Sequence, residues 1–325
     1  MTVAVLIVNW NSRDLLRECL RSLSAQTRRP DRVVLVDNNS TDDSLRQARD
    51  WLTGVEVIRL QENVGFARAN NIAAAAAGGV DALALLNPDA FPDPGWLAAL
   101  LAAAERQPEA GSFASRLVLD AQPDFLDGAG DSYHSSGRAW RNGHRMRTRE
   151  WVVGDQEVFA PCAAAALYRR AVFDAAGGFD EQYFCYFEDV DLGFRLRLRG
   201  FRCLYVHDAV VRHVSSATTG YRSDFAVYHG ERNAVWTFVK DMPWPLLLLY
   251  LPQHLALNAA ALIYYPLRGQ GRVVWRAKVD ALRGLPSVWR RRADVQLTRA
   301  VSPMALRRSF TRGIAAAIRR YTVTG

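Results

Sequence analysis

Two periods alternate along the first 105 residues. Residues 4–8 are a continuous apolar run, the pattern of a fully buried strand. Over 12–25, Leu15, Leu16, Cys19, Leu20 and Leu23 recur at helical spacing. Apolar runs at 32–36, 55–60 and 81–86 predict three more strands, and 43–52, 65–77 and 95–105 three more helices, the first capped by Ser40 or Thr41. This alternation predicts an α/β fold with a doubly wound, mostly parallel, Rossmann-like sheet. Ligands of such sheets bind beyond the carboxyl ends of the strands, where Asn9, Asp37 and Asn87-Pro88-Asp89 fall.

Further on the pattern changes. Residues 121–160 carry scattered Gly, Ser and His and predict loops and hairpins over the mouth of the sheet. A strand over 163–170, a short helix over 170–176, a helix over 190–199 and short strands at 203–206 and 209–211 follow, with His213 just after the last. From Pro245 to Leu267 the chain is strongly apolar but broken by Pro252, Gln253, His254 and Asn258, so it falls short of the roughly 20 clean apolar residues of a spanning helix.

Charge sharpens the picture of the C-terminal region. From Arg268 onward fourteen basic residues face two Asp, a net +12, while the rest of the chain is at −4. Trp275-Arg276 and Trp289-Arg290-Arg291-Arg292 mix Trp with Arg, as interfacial helices do. Such a tail suits an anionic membrane surface or nucleic acid; the apolar segment beside it makes the membrane surface the expected partner of 244–325, against a soluble helical subdomain or a spanning or re-entrant helix, and no nucleic acid is expected. The start of the chain reads as a strand, not a signal peptide. The four cysteines are widely spaced without metal-type pairing, which suits a reduced, cytosolic compartment.

The chemistry concentrates in carboxylates. Glu188, Asp189 and Asp191 follow the aromatic run Tyr183, Phe184, Tyr186 and Phe187. Acids in an apolar setting have raised pKa values or a cation nearby, as a general base beside a charged substrate would. The same acids also suit the first turn of a helix. Asn87-Pro88-Asp89 can hold a divalent cation together with substrate phosphates, or form a plain turn. Asp37 can accept from a nucleobase or ribose, or serve as an Asx turn. His213, followed by the polar run 215–220, can contact metal or pyrophosphate beneath a mobile lid, or be structural. There is no Gly-Lys-Ser/Thr phosphate loop, no Gly-x-Gly-x-x-Gly after the first strand and no Gly-x-Ser-x-Gly elbow.

In order, Val8-Asn9-Trp10-Asn11, Val36-Asp37-Asn38-Asn39-Ser40-Thr41-Asp42, Glu62-Asn63-Val64-Gly65-Phe66-Ala67-Arg68-Ala69-Asn70, Leu86-Asn87-Pro88-Asp89, Gly178-Phe179-Asp180-Glu181 and Glu188-Asp189-Val190-Asp191-Leu192 resemble the family-two inverting glycosyltransferases with the GT-A fold. More narrowly they are similar to the bacterial rhamnosyltransferase-like branch that builds cell-surface polysaccharides. The resemblance covers about residues 1–240. It implies a nucleotide-sugar-binding half over 1–120, an acceptor and catalytic-base half over 121–243, and leaves 244–325 as a helical, membrane-proximal extension. It implies a nucleotide-sugar donor, with dTDP-rhamnose the best guess, a lipid-linked or polysaccharide acceptor, Mg²⁺ or Mn²⁺, and a site on the inner face of the cell membrane. Val8, Asn9, Trp10, Asp37, Asn63, Gly65, Asn70 and Asn87 would bind the donor. Asp89, Asn87 and His213 would meet the metal, with Asn87 replacing the first Asp of the family's Asp-x-Asp, so that Asp89 carries most of it. Asp189 would be the base, with Glu188 and Asp191 beside it. A nucleotidyltransferase lacks its usual Gly-rich basic loop here, and a non-catalytic sugar-binding module would not need the acidic cluster.

Overall fold

A computed structural model describes residues 1–215, 220 and 222–313. The first four strand–helix units form as the periodicity predicts: β1 (Val3–Asn9), α1 (Leu15–Ser24), β2 (Arg32–Asp37), α2 (Ser44–Gln47), β3 (Glu56–Arg59), α3 (Phe66–Ala76), β4 (Ala82–Leu86), then β5 (Ala90–Pro92) and α4 (Trp96–Arg106). Next come β6 (Ala110–Leu119), β7 (Gln122–Ala129), β8 (Asp131–Tyr133), β9 (Ala139–Arg141), β10 (Gln156–Val158), β11 (Ala165–Arg169) and α5 (Arg170–Ala175). The chain continues through α6 (Glu188–Leu198), β12 (Arg202–His213), α7 (Asp224–Asp241), α8 (Trp244–Tyr264), α9 (Gly271–Leu297) and α10 (Pro303–Arg308).

The main sheet runs β10-β12-β6-β11-β4-β1-β2-β3. Its β3-β2-β1-β4 half is parallel, and β11 joins it antiparallel to β4. β1 shows why this half folds: every residue is buried, with Val3, Val5 and Ile7 facing the layer of α1 and α4, and Ala4, Leu6 and Val8 facing the layer of α3. Each of these Val, Leu and Ile side chains contributes roughly 1.5–3 kcal/mol on burial. α6 is buried almost end to end: Leu192 and Leu196 complete the α3 layer, while Val190, Phe194 and Leu198 pack with α7 and α8.

Three elements differ from the sequence pattern. The helix expected over 43–52 shortens to α2 and a 3₁₀ turn at Arg49–Trp51, and neither Ser40 nor Thr41 caps it. Asp42 instead accepts from the Ser44 amide, while Ser40 accepts from Asn9 and from the Asn11 amide. β6 lies inside the sheet although no apolar run marked it, because Gly111, Ser112 and Ser115 interrupt its pattern; Ser115 is satisfied by the Trp96 indole N–H at 2.8 Å. The two short runs near 203–211 are one strand, β12, with a register shift between Val206 and Val210. The polar run 215–220 lies largely outside the described residues.

The hairpins expected over 121–160 are present: β7 pairs with β6, and β8 with β9. They carry polar side chains across the carboxyl ends of the strands. All four cysteines are free; Cys19, Cys162 and Cys203 are buried and Cys185 is half-buried. Among the described residues one helical stretch, Trp244–Arg268, is long and apolar enough to cross a membrane, and only 28% of its apolar window is buried.

Candidate active site

A cleft of about 320 Å³ opens beyond the carboxyl ends of β1, β2 and β4. Val8, Trp10, Asn63, Gly65, Asn87, Asp89, Glu188, Asp189 and His213 all line it. Segments far apart in sequence thus meet at the one place the topology reserves for a ligand.

At one part of the wall, the turn after β4 presents Asp89, and β5 pairs with the end of β12 so that His213 stands opposite Ala90. His213 Nε2 is 3.3 Å from Asp89 Oδ1. Its Nδ1 is 2.7 Å from Asp127 Oδ2 on β7. Arg141 of β9 pairs with the same Asp127 oxygen. Burial would lower the His213 pKa, but Asp89 and Asp127 outweigh it and raise the imidazole to about 9. Burial would lift Asp127, yet Arg141 and the two histidines, His144 and His213, hold it well below the usual carboxylate range. Asp89 is likewise pulled down against burial, chiefly by His213.

At another part, the first turn of α6 brings in Glu188 and Asp189, and β8 brings in Asp131. Asp189 Oδ2 accepts from the Ala163 amide at 3.0 Å and Oδ1 from the Val190 amide at 2.8 Å. Among the described residues, Glu188 Oε2 and Asp131 Oδ1 find no hydrogen-bond partner. Burial, then the Asp189 charge, pushes Glu188 well above the usual range and pushes Asp131 up also. Burial raises Asp189 as well, but its two amide donors favour the ionised form. The Asp189 charge raises both of its neighbours, so ionising one of the three disfavours ionising the others. Asp189 is the one equipped to carry the charge, and Glu188 and Asp131 the ones equipped to keep a proton.

Four expected residues do not line the cleft. Asn9 is fully buried and donates to Asp37 (2.9 Å), Ser40 (3.0 Å) and Ser44 (2.9 Å), so it ties the loop after β2 to the end of β1. Asp37 is buried as its acceptor. Asn70 bonds the Phe66 carbonyl within α3. Asp191 points to the far side of α6, where Lys240 Nζ is 2.5 Å and Arg195 Nη2 2.7 Å from its oxygens. Gly65 serves close approach: at φ +84° it lets Phe184 come so near that a Cβ would stand 2.6 Å from the ring.

Sequence patterns missed Asn38, Asp127, Asp131 and Arg141. Asn38 donates to Asn63 Oδ1 at 2.8 Å and accepts from the Val64 amide, joining two strand-end loops. It stood inside a noted motif. The other three lie on hairpin strands with no periodic signal.

A divalent ion suits the Asp89–His213 pair. With an ion in place, Nδ1–H would donate to Asp127 and a deprotonated Nε2 would face Asp89 and the cleft, the carboxylate–histidine arrangement typical of metal ligands. The raised pKa of His213 marks a place that already calls for positive charge. No group of three or more His, Cys, Asp or Glu forms a ready-made metal cage among the described residues, so phosphate oxygens would have to complete the coordination.

Comparisons with known proteins point one way. Residues 4–177 match the profile of Glycosyl transferase family 2. The chain is 32% identical over 260 residues to the N-acetylglucosaminyl-diphospho-decaprenol L-rhamnosyltransferase of Mycobacterium tuberculosis, covering 73% of this chain and 83% of that protein. It is 28% identical to the O-antigen chain rhamnosyltransferase WbaN of Salmonella anatum, covering 67% and 65%. Among solved structures, S. aureus TarS with UDP-GlcNAc aligns at a TM-score of 0.56 with 18% identity, covering 95% of this chain and 93% of that one. A mannosyltransferase from Pyrobaculum calidifontis in complex with GDP-Man and Mn²⁺ aligns at 0.55 with 18% identity and 86% coverage of each. The fold they share is GT-A.

Proposed function

The chain belongs to glycosyl transferase family 2, the nucleotide-sugar-dependent glycosyltransferases, and we propose that it transfers rhamnose from dTDP-rhamnose to a lipid-linked glycan with inversion. The observation that carries this is one cleft holding both the Asp89–His213 pair and the amide-supported Asp189 carboxylate. The named relatives, a rhamnosyltransferase for a diphospho-decaprenol sugar and an O-antigen chain rhamnosyltransferase, support the sugar and the acceptor class.

Val8, Trp10, Asn38 and Asn63 line the cleft and would hold the nucleoside. Asp89 and His213 would hold Mg²⁺ or Mn²⁺, which when bound neutralises the leaving diphosphate. Asp189 takes the proton from the acceptor hydroxyl as its oxygen bonds the anomeric carbon from the opposite face and the carbon–diphosphate bond breaks. One displacement without a protein nucleophile inverts the configuration. A panel of dTDP-rhamnose, UDP-sugars and GDP-mannose, incubated with Mg²⁺ or Mn²⁺ or with chelator, tests the donor. One donor consumed only with metal is the expected result; no binding to any donor would end this reading.

The acceptor places the enzyme on the inner face of the membrane, docked through α8 and α9. α8 exposes Leu248, Leu249, Leu255 and Ile263. One face of α9 carries Arg272, Trp275, Arg276, Leu282, Arg283, Trp289 and Arg290, all exposed, with Trp275 at 64% and Trp289 at 48%. Trp244 packs edge-on against Trp289, 5.8 Å between centroids, so the two helices present one surface. Aromatic and apolar side chains enter the interface and each Arg adds about 1 kcal/mol near anionic lipid. The full chain is expected to float with anionic liposomes at low salt, and Trp275→Ala with Trp289→Ala to weaken that by about tenfold. Absence of flotation by the unaltered chain would remove the docking surface.

A further inference from the structure

Just before the acidic cluster the backbone does something costly. Phe184 (φ 64°), Tyr186 (φ 66°) and Phe187 (φ 69°) all have positive φ, which side chains with a Cβ avoid. These residues form an arch whose last carbonyl, that of Phe187, accepts the Asp191 amide and so starts α6. Asp189 stands in that first turn. Such a backbone persists only where its surroundings hold it.

The main holder is on α7. Asn233 is fully buried, and its Nδ2 lies 3.0 Å from the Tyr183 carbonyl, 3.0 Å from that of Cys185 and 2.7 Å from that of Tyr186. Three oxygens thus share the two hydrogens of one amide. Arg232 supports the same clamp: its Nε donates to Asn233 Oδ1 at 2.9 Å, and its Nη2 donates to the Tyr183 carbonyl at 3.0 Å. From the opposite side, the Ala67 amide at the start of α3 bonds the Phe184 carbonyl at 3.2 Å.

We propose that Asn233 is a positioning residue for the transfer reaction: by gathering the carbonyls of Tyr183, Cys185 and Tyr186 it sets where the first turn of α6, and with it Asp189, stands in the cleft. This rests on Asp189 being the base. Asn233 does not itself line the cleft, but Cys185 and Tyr186, whose carbonyls it holds, do, so it acts through the arch and α6, chiefly on the step of bond formation. An error of about an ångström in a reacting group is enough to cost about a hundredfold in rate.

The test uses the full chain with Asn233→Ala and the isosteric Asn233→Asp, which turns an acceptor toward three carbonyls. Two readouts are taken: transfer kinetics, and the rate at which Cys185 in the arch is alkylated, followed by mass spectrometry. Cys185 is half-buried while the other three thiols are buried. The expected result is a kcat lower by about a hundredfold, a much smaller rise in donor KM from the arch residues that line the cleft, and Cys185 alkylated about tenfold faster as the arch loosens. Wild-type kcat in either folded variant overturns the proposal, as does loss of kcat with unchanged Cys185 alkylation. Failure of both variants to fold assigns Asn233 to stability alone and also overturns it. If the unaltered chain transfers no sugar, the assignment of the base has failed instead, and Cys185 alkylation alone then decides whether Asn233 holds the arch.

Discussion

Asp189→Asn is expected to lower glycosyl transfer by about 10²- to 10⁴-fold, the range of a general base, while donor affinity stays within about twofold. The amide keeps the shape of the carboxylate and can still accept from the Ala163 or Val190 amide, but it cannot take a proton. Burial raises the Asp189 pKa, so in the unaltered enzyme activity rises with pH as this group ionises, and the variant loses that limb. Glu188→Gln should cost far less. Burial and the neighbouring Asp189 charge push Glu188 well up, and its Oε2 has no partner among the described residues, so it holds a proton where a base must not. Initial rates across pH for both variants give the answer. Full activity in Asp189→Asn would remove Asp189 as base.

Lys240→Met is expected to destabilise the fold by about 3–5 kcal/mol, the cost of stripping one partner from a buried ion pair. Lys240 is 2% exposed and bridges Asp191 at 2.5 Å and Asp180 at 2.6 Å. Arg291 of α9 pairs with the same Asp180, so α6, α7 and α9 meet around these charges. Removing the ammonium leaves Arg195 alone to compensate Asp191. Burial would raise the Asp191 pKa, but Arg195 and Lys240 hold it far below its unfolded value. Its contribution is therefore complete above the unfolded carboxylate pKa of about 4 and is lost as the pH falls toward the depressed folded value. Urea unfolding at neutral pH measures the loss. A change under about 1 kcal/mol would show that these charges are worth no more than a surface pair.

Asp189 and Asp191 show what a sequence motif can and cannot say. Both belong to one acidic cluster, and the cluster does mark the site. Two positions apart on a helix means roughly 200° around it, so one carboxylate reaches the cleft and the other enters an ion-pair network. Which is which depends on where the arch points α6, and that is set by Asn233, 42 positions or more away in the chain. β1, β2 and β4 were legible because a strand buried on both faces reads as an unbroken apolar run. β6 was not, since a central strand can carry Ser115 once Trp96 supplies a donor. Asp89 and His213 were legible as polar residues at strand ends. Asp127 and Arg141 were not, because only the pairing of β7 with β6 and of β9 with β8 carries them to the His213 imidazole. Asn9 and Asp37 were found as strand-end polar residues, but their bond to each other turns them inward to build the loop beside the cleft.

The proposed reaction of this cleft is a single displacement on a nucleotide sugar. The most direct test is to supply the donor consumed in the panel together with a polyprenyl-diphosphate N-acetylglucosamine acceptor and to determine the anomeric configuration of the product by NMR. A single displacement gives a glycoside of configuration opposite to the donor, formed only with divalent metal. A product that retains the donor configuration would contradict it.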